Sequence, residues 1–147
     1  MQEITDIQKV SLSFENYKPA YCPLVLSKVS AGFPSPAEDY IESIIDLNQE
    51  LVRHPATTFF VRANGDSMVN AGIQPNATLV VDRMLETKPG DIVVARIGDE
   101  MLVKELQIDD EGKVWLVPRN ENYKPFEITP DLDFEVWGKV IWSINKH

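Results

Sequence analysis

Histidine and cysteine are nearly missing from this chain, with two of the first and one of the second in 147 residues. That scarcity removes several chemistries at once. His54 stands just before Pro55 and His147 is the last residue, with no HExxH or paired Cys/His spacing, so neither a metal centre nor another cofactor site is expected. A Ser-His-Asp triad meets the same shortage, and the nucleophile-elbow pattern G-x-S-x-G is absent. There is no glycine-rich phosphate loop either, because NGDSMVNAG lacks the lysine and the spacing of a P-loop. Cys22 has no second cysteine to pair with, which fits a reducing compartment and an inert small side chain. Basic residues are also short: Lys and Arg total 14 against 23 Asp and Glu, a net charge of -9. Such a balance disfavours tight direct binding to DNA or to an anionic membrane, so a protein is the expected partner. Nowhere do about 18 uncharged apolar residues run together, and MQEITDIQKV has no signal-like apolar segment, so the expected location is the cytosol. The sequon Asn76-Ala77-Thr78 carries no chemistry without a secretory signal.

What is present is ordinary globular material, 44% hydrophobic and 25% charged, enough for one domain plus an appendage. Residues 1–31 hold Pro19, Pro23 and no convincing repeat, and read as an extended arm. Their charges cancel (Glu3, Asp6 and Glu15 against Lys9, Lys18 and Lys28), so residues 32–147 carry the whole net charge of -9. In GFPSPAEDYIESIIDLNQ, Ser35 suits a helix cap, Pro36 a first helical position, and Glu38 completes a capping box. Tyr40, Ile41, Ile44 and Ile45 would then share a helical stripe, extended through Leu47, Leu51 and Val52 and ended by Pro55. Beyond it, TFFVRA, TLVVD, DIVVARI, EMLVKELQ, KVWLVP and FEVWGKVIWSI read as strands. Gly98-Asp99 suits a tight hairpin and Asp109 to Gly112 a longer one. The predicted body is mainly antiparallel β.

Two residues stand out against this background. Asn64, Gly65 and Asp66 signal a turn after TFFVRA, so Ser67 is displayed where the chain bends and backbone N–H groups are freed for an oxyanion. Alone, a serine in a turn is a turn residue. Lys104 is stranger: with the two-residue period of a strand it shares a face with Leu102 and Leu106, while Met101, Val103 and Glu105 point the other way. Burial disfavours the charged ammonium, and bringing its pKa from about 10.4 to near 7 corresponds to roughly 4 to 5 kcal/mol of differential interaction. The competing reading is a stem that snorkels to the domain edge. Taken together, Ser67 as nucleophile and Lys104 as general base form a dyad that needs no imidazole.

The segments GDSM and VKEL, preceded by SAGFPSPAEDYIE and DLNQELVRHPATTFFV, resemble the UmuD proteins, short relatives of the LexA-type self-cleaving repressors. The resemblance runs over residues 29 to 143. It implies a β-rich LexA/UmuD-type peptidase fold with a short N-terminal helical segment, an arm 1–31, and a body 32–147. It also implies that a Ser/Lys pair cuts the chain's own backbone, with Ala31-Gly32 as the matching bond, Ser67 as nucleophile and Lys104 as base. The separations of 35 and 37 positions agree with the family pattern. A small Ala31 and a side-chain-free Gly32 let backbone approach a nucleophile closely. By the same resemblance the expected setting is the SOS response. RecA on single-stranded DNA would stimulate the cut, and the truncated homodimer would join a Y-family, UmuC-like translesion polymerase subunit. The alternative, a LexA-like transcriptional regulator, would need a DNA-binding domain that 31 residues cannot supply in its usual form.

Overall fold

The computed structural model describes residues 8–10, 19, 21–25 and 41–147. Two units divide the chain: one spans Ser13–Arg53, and the other joins Met1–Leu12 to His54–His147. In the smaller unit, β2 (Tyr21–Val25) pairs antiparallel with β3 (Ile41–Asp46), and a short helix α1 (Leu47–Leu51) follows. The helical stripe expected from Tyr40 through Ile45 is therefore corrected: its isoleucines lie on a strand. Three of the six residues of β3 are isoleucine, whose branched Cβ favours extended backbone, and Tyr21–Val25 offers them a pairing partner. The cap moves accordingly. Asp46, not Ser35, opens the helix, its carboxylate accepting the Asn48 N–H at 3.1 Å. Ser35, Pro36 and Glu38 lie outside the described residues.

The larger unit is built on an eight-stranded antiparallel sheet. Its strands are β1 (Gln8–Val10), β4 (Thr58–Arg62), β5 (Thr78–Asp82), β6 (Ile92–Ile97), β7 (Glu100–Ile108), β8 (Val114–Val117), β9 (Phe126–Ile128) and β10 (Phe134–Ile144), in the order β1-β4-β5-β10-β6-β7-β8-β9. Mainly antiparallel β was the sequence expectation, and six of these strands fall on the predicted runs. Gly98 makes the tight β6–β7 connection at a φ of +58°, in the left-handed region that β-branched residues avoid.

Apolar side chains of this sheet are buried in two clusters. Val61, Met68, Ile73, Leu79, Val81, Val94 and Val103 form one core cluster, and Val93, Ala95, Leu102, Leu106 and Leu116 form a second. Residues directly opposite on antiparallel strands share a face, which is why Val94 and Val103 belong to one cluster while Ala95 and Leu102 belong to the other. TLVVD reads as a continuous apolar run because Leu79, Val80 and Val81 are buried in succession on a central strand.

β10 spans the junction of the sheet, pairing with β6 through Phe134–Lys139 and with β5 through Lys139–Ile144. Its register shifts between Val136 and Gly138 against β6, and between Val140 and Trp142 against β5. Such bulges add local twist and let one strand serve two differently inclined partners. Trp137, at the first of them, packs on Phe59 with ring centroids 5.3 Å apart and lies under the Arg83 guanidinium.

Candidate active site

Ser67 sits in the irregular stretch that leaves β4. Just past β4, Ala63 donates its N–H at 2.9 Å to the carbonyl of Ala77, the residue before β5, and the chain then bends through Asn64 and Gly65. A single 3-10 turn, Val69–Ala71, closes the bend. Met68 anchors it, with its side chain in the first core cluster and its carbonyl accepting from Ala71 N and Ile73 N. The serine is thus held between a strand end and a core residue.

Lys104 comes from the middle of β7, opposite Val93 and between Leu102 and Leu106 on the face of the second core cluster. Its Nζ lies 2.8 Å from Ser67 Oγ. Only 2% of Ser67 and 5% of Lys104 is exposed. The long stem therefore does not snorkel to the domain edge; its nitrogen ends on the serine hydroxyl. At this separation the bond can run either way, with a charged amine donating to the hydroxyl oxygen or the hydroxyl donating to a neutral amine.

From the sequence, Asp66 has only a place in a turn, and neither Met68 nor Asp82 is singled out. Met68 is packing. Asp66 is more: its carbonyl accepts from Asn120 Nδ2 at 2.9 Å and from Val69 N at 3.2 Å, and its carboxylate accepts the Tyr123 hydroxyl at 2.6 Å. Alongside, Arg119 donates its N–H to Ser67 O at 2.8 Å and accepts from Asn70 N at 2.9 Å. Arg119 also ion-pairs through its guanidinium with Glu105, the neighbour of Lys104. Asn120, Tyr123 and Arg119 were missed because their partners are far away in sequence; the run PRNENY shows only a turn.

Asp82, fully buried at the end of β5, gathers the chain that precedes β4. Its carboxylate lies 2.5 Å from His54 Nδ1 and accepts from Thr57 Oγ1 at 2.8 Å and from the Met84 N–H at 2.9 Å. His54 is thus tied to a carboxylate. Burial pushes the Asp82 carboxyl up, but the bonds from His54, Met84 and Thr57 outweigh it and hold the group below its ordinary 3.8. A carboxylate depressed in the folded state stabilises fully above the unfolded pKa, and that contribution is lost as pH falls through the folded one. Thermal unfolding followed from neutral pH to below about 4 should show stability falling on acidification, with a smaller acid-dependent loss in Asp82→Asn.

Ala31 and Gly32 lie outside the described residues. Among the described residues no group of three or more His, Cys, Asp and Glu side chains could hold a metal ion. No helix among them is long and apolar enough to cross a membrane.

The profile of the Peptidase S24-like family matches residues 23–141. The chain belongs to the Peptidase S24-like family. These are serine peptidases, and among them it is of the UmuD type of the LexA/UmuD proteins. Protein MucA of Salmonella typhimurium is 40% identical to it over 126 residues, 85% of either chain. Protein SamA of Salmonella typhimurium strain LT2 is 41% identical over 124 residues, 84% of this chain and 85% of its own. The LexA repressor of Stenotrophomonas maltophilia is 39% identical over 114 residues, which are 78% of this chain and 53% of the repressor. The S24-like match takes in Ser67, Lys104 and the whole Asp66 to Tyr123 network.

Proposed function

We propose that this S24-like chain is a self-cleaving peptidase of the SOS response that cuts between Ala31 and Gly32 with Ser67 as nucleophile and Lys104 as general base. The observation that carries the proposal is the 2.8 Å contact between Lys104 Nζ and Ser67 Oγ in an apolar setting. Enclosure among Val93, Leu102 and Leu106 penalises the ammonium and favours the neutral amine, the only form able to take a proton. Ser67 Oγ attacks the Ala31 carbonyl carbon as its proton passes to Lys104, and backbone N–H groups of the turn stabilise the oxyanion. Collapse of the tetrahedral intermediate breaks the Ala31–Gly32 bond while Lys104 returns the proton to the Gly32 amine. Water then releases the arm from Ser67, again with Lys104 as base.

The body from Gly32 onward, as a homodimer, is the form that acts as accessory subunit of a UmuC-like Y-family polymerase. Similarity to MucA and SamA along 84 to 85% of the chain supports this reading. A RecA filament on single-stranded DNA activates the cut by favouring the conformer that seats the arm at Ser67, supplying no catalytic group itself. A net charge of -9 fits binding to proteins rather than directly to DNA.

Intact-mass measurement of the purified chain at mildly alkaline pH, with and without RecA on single-stranded DNA, is the test. A species beginning at Gly32 should accumulate, faster with the filament, and Ser67→Ala should not form it. An unchanged mass over days in both conditions, or the same fragment from Ser67→Ala, would overturn the assignment.

A further inference from the structure

We infer that Tyr123 and Asp66 are a positioning pair that sets the distance between nucleophile and base. The inference rests on reading Ser67 and Lys104 as the dyad. Lys104 is fixed by the sheet, since its strand β7 is flanked by β6 and β8. Ser67 has no such support, because it lies in an irregular stretch between the end of β4 and a 3-10 turn. The two residues are joined through a strap, residues 119–123, which leaves β8 and so extends the strand pair that holds the lysine.

Four hydrogen bonds run between the strap and the serine loop among the described contacts. The Arg119 N–H on Ser67 O and the Asn70 N–H on Arg119 O fix the backbone on both sides of the nucleophile. They are main-chain bonds, indifferent to side-chain identity. Asn120 Nδ2 on Asp66 O and Tyr123 OH on the Asp66 carboxylate then fix how the loop is turned, acting one residue before the serine. The Tyr123 bond, 2.6 Å to a half-buried carboxylate, is in the range of charge-assisted hydrogen bonds, about twice as strong as neutral ones. The strap is itself braced: Asn120 Oδ1 accepts from Asn122 N at 3.0 Å, and its carbonyl accepts from Tyr123 N at 3.1 Å. Its other anchor is Arg119 on Glu105, next to the base. A shift in the Asp66 to Tyr123 link is therefore felt as a change in the gap between Lys104 Nζ and Ser67 Oγ.

Tyr123→Phe removes one hydroxyl and keeps the ring, and Asp66→Leu removes the acceptor at similar volume. Asp66→Asn keeps an oxygen that can accept from Tyr123. Self-cleavage followed by intact mass should slow about 10- to 100-fold in Tyr123→Phe and in Asp66→Leu, the scale expected of a misplaced catalytic geometry. Asp66→Asn should restore most of the rate, and Tyr123→Phe combined with Asp66→Leu should be no slower than either alone. The pH at which Lys104 loses its proton, read from its side-chain NMR signal in carbon-13 lysine-labelled protein, should move in the two damaging variants and return with Asp66→Asn. This readout needs no cleavage, so it judges the pair even if the chain proves uncleavable. Rates in Tyr123→Phe within about twofold of the parent, or an unmoved Lys104 titration, would overturn the inference. So would a loss of rate that merely follows a lowered melting temperature. A failure of the dyad reading looks different, since Ser67→Ala would then still release the Gly32 fragment.

Discussion

A chain carrying Lys104→Met is expected to fold, to melt at or above the temperature of the parent, and to leave its own backbone uncut. Methionine is unbranched, of similar reach, and apolar, so it suits a position flanked by Leu102 and Leu106 and facing Val93. It removes the cost of enclosing an amine but takes away the nitrogen 2.8 Å from Ser67 Oγ, which is the base of the proposed cut. Loss of a positioned general base costs about 10² to 10⁴ in rate, which on an intramolecular cut means that no product is seen over hours. Lys104→Arg should be equally inactive for a different reason: it keeps the charge, but a guanidinium does not give up its proton in a protein. In the parent, the rate should climb with pH while the amine is mostly charged and level off once it is neutral. A time course of intact mass across neutral to alkaline pH checks all three. Lys104→Met cutting at the parental rate would remove the lysine from the chemistry.

Gly138→Ala is expected to destabilise the fold by about 1 to 3 kcal/mol, the usual scale for overpacking. The glycine lies at the bulge where β10 leaves register with β6. A Cβ there would stand 2.6 Å from Val81 Cγ1 and 3.3 Å from Arg83 Cγ. Arg83 has a flexible side chain and can yield. Val81 cannot, because it is fully buried in a central strand and a branched side chain has few rotamers to escape into. Chemical denaturation would show the midpoint falling, and adding Val81→Ala to Gly138→Ala should cost less than the sum of the two single changes. Exact additivity would mean that the clash is relieved elsewhere.

Most of the sheet was legible because its strands are runs of β-branched and aromatic residues cut off by glycine, proline, asparagine and aspartate. β9 escaped notice: three residues, Phe126–Ile128, are too few for a pattern, and only pairing with β8 defines them. β3 was misread as helix because apolar residues at 41, 44 and 45 satisfy a helical spacing, whereas the two-residue period of a strand puts Ile44 on the face opposite Ile41 and Ile45. Its partner β2 was hidden by Pro23, which a strand tolerates at a sheet edge. Within the site, Ser67 and Lys104 could be found by local rules, one from its turn and the other from a charge on an apolar strand face. Asp66 and Tyr123 could not, since 57 positions separate them and neither residue type is unusual where it stands. Long-range polar contacts between irregular segments leave no periodic trace in a sequence.

The order of strands has a consequence for truncated chains. Ser67 hangs from the β1-β4-β5 half of the sheet and Lys104 belongs to the β6-β7-β8-β9 half, and the two halves are stitched together by β10, made of residues 134 to 144. In chain order both Ser67 and Lys104 therefore precede the strand that joins the two halves. If the proposed cut between residues 31 and 32 is made by this pair, a polypeptide that lacks residues 134 to 144 should be unable to process itself.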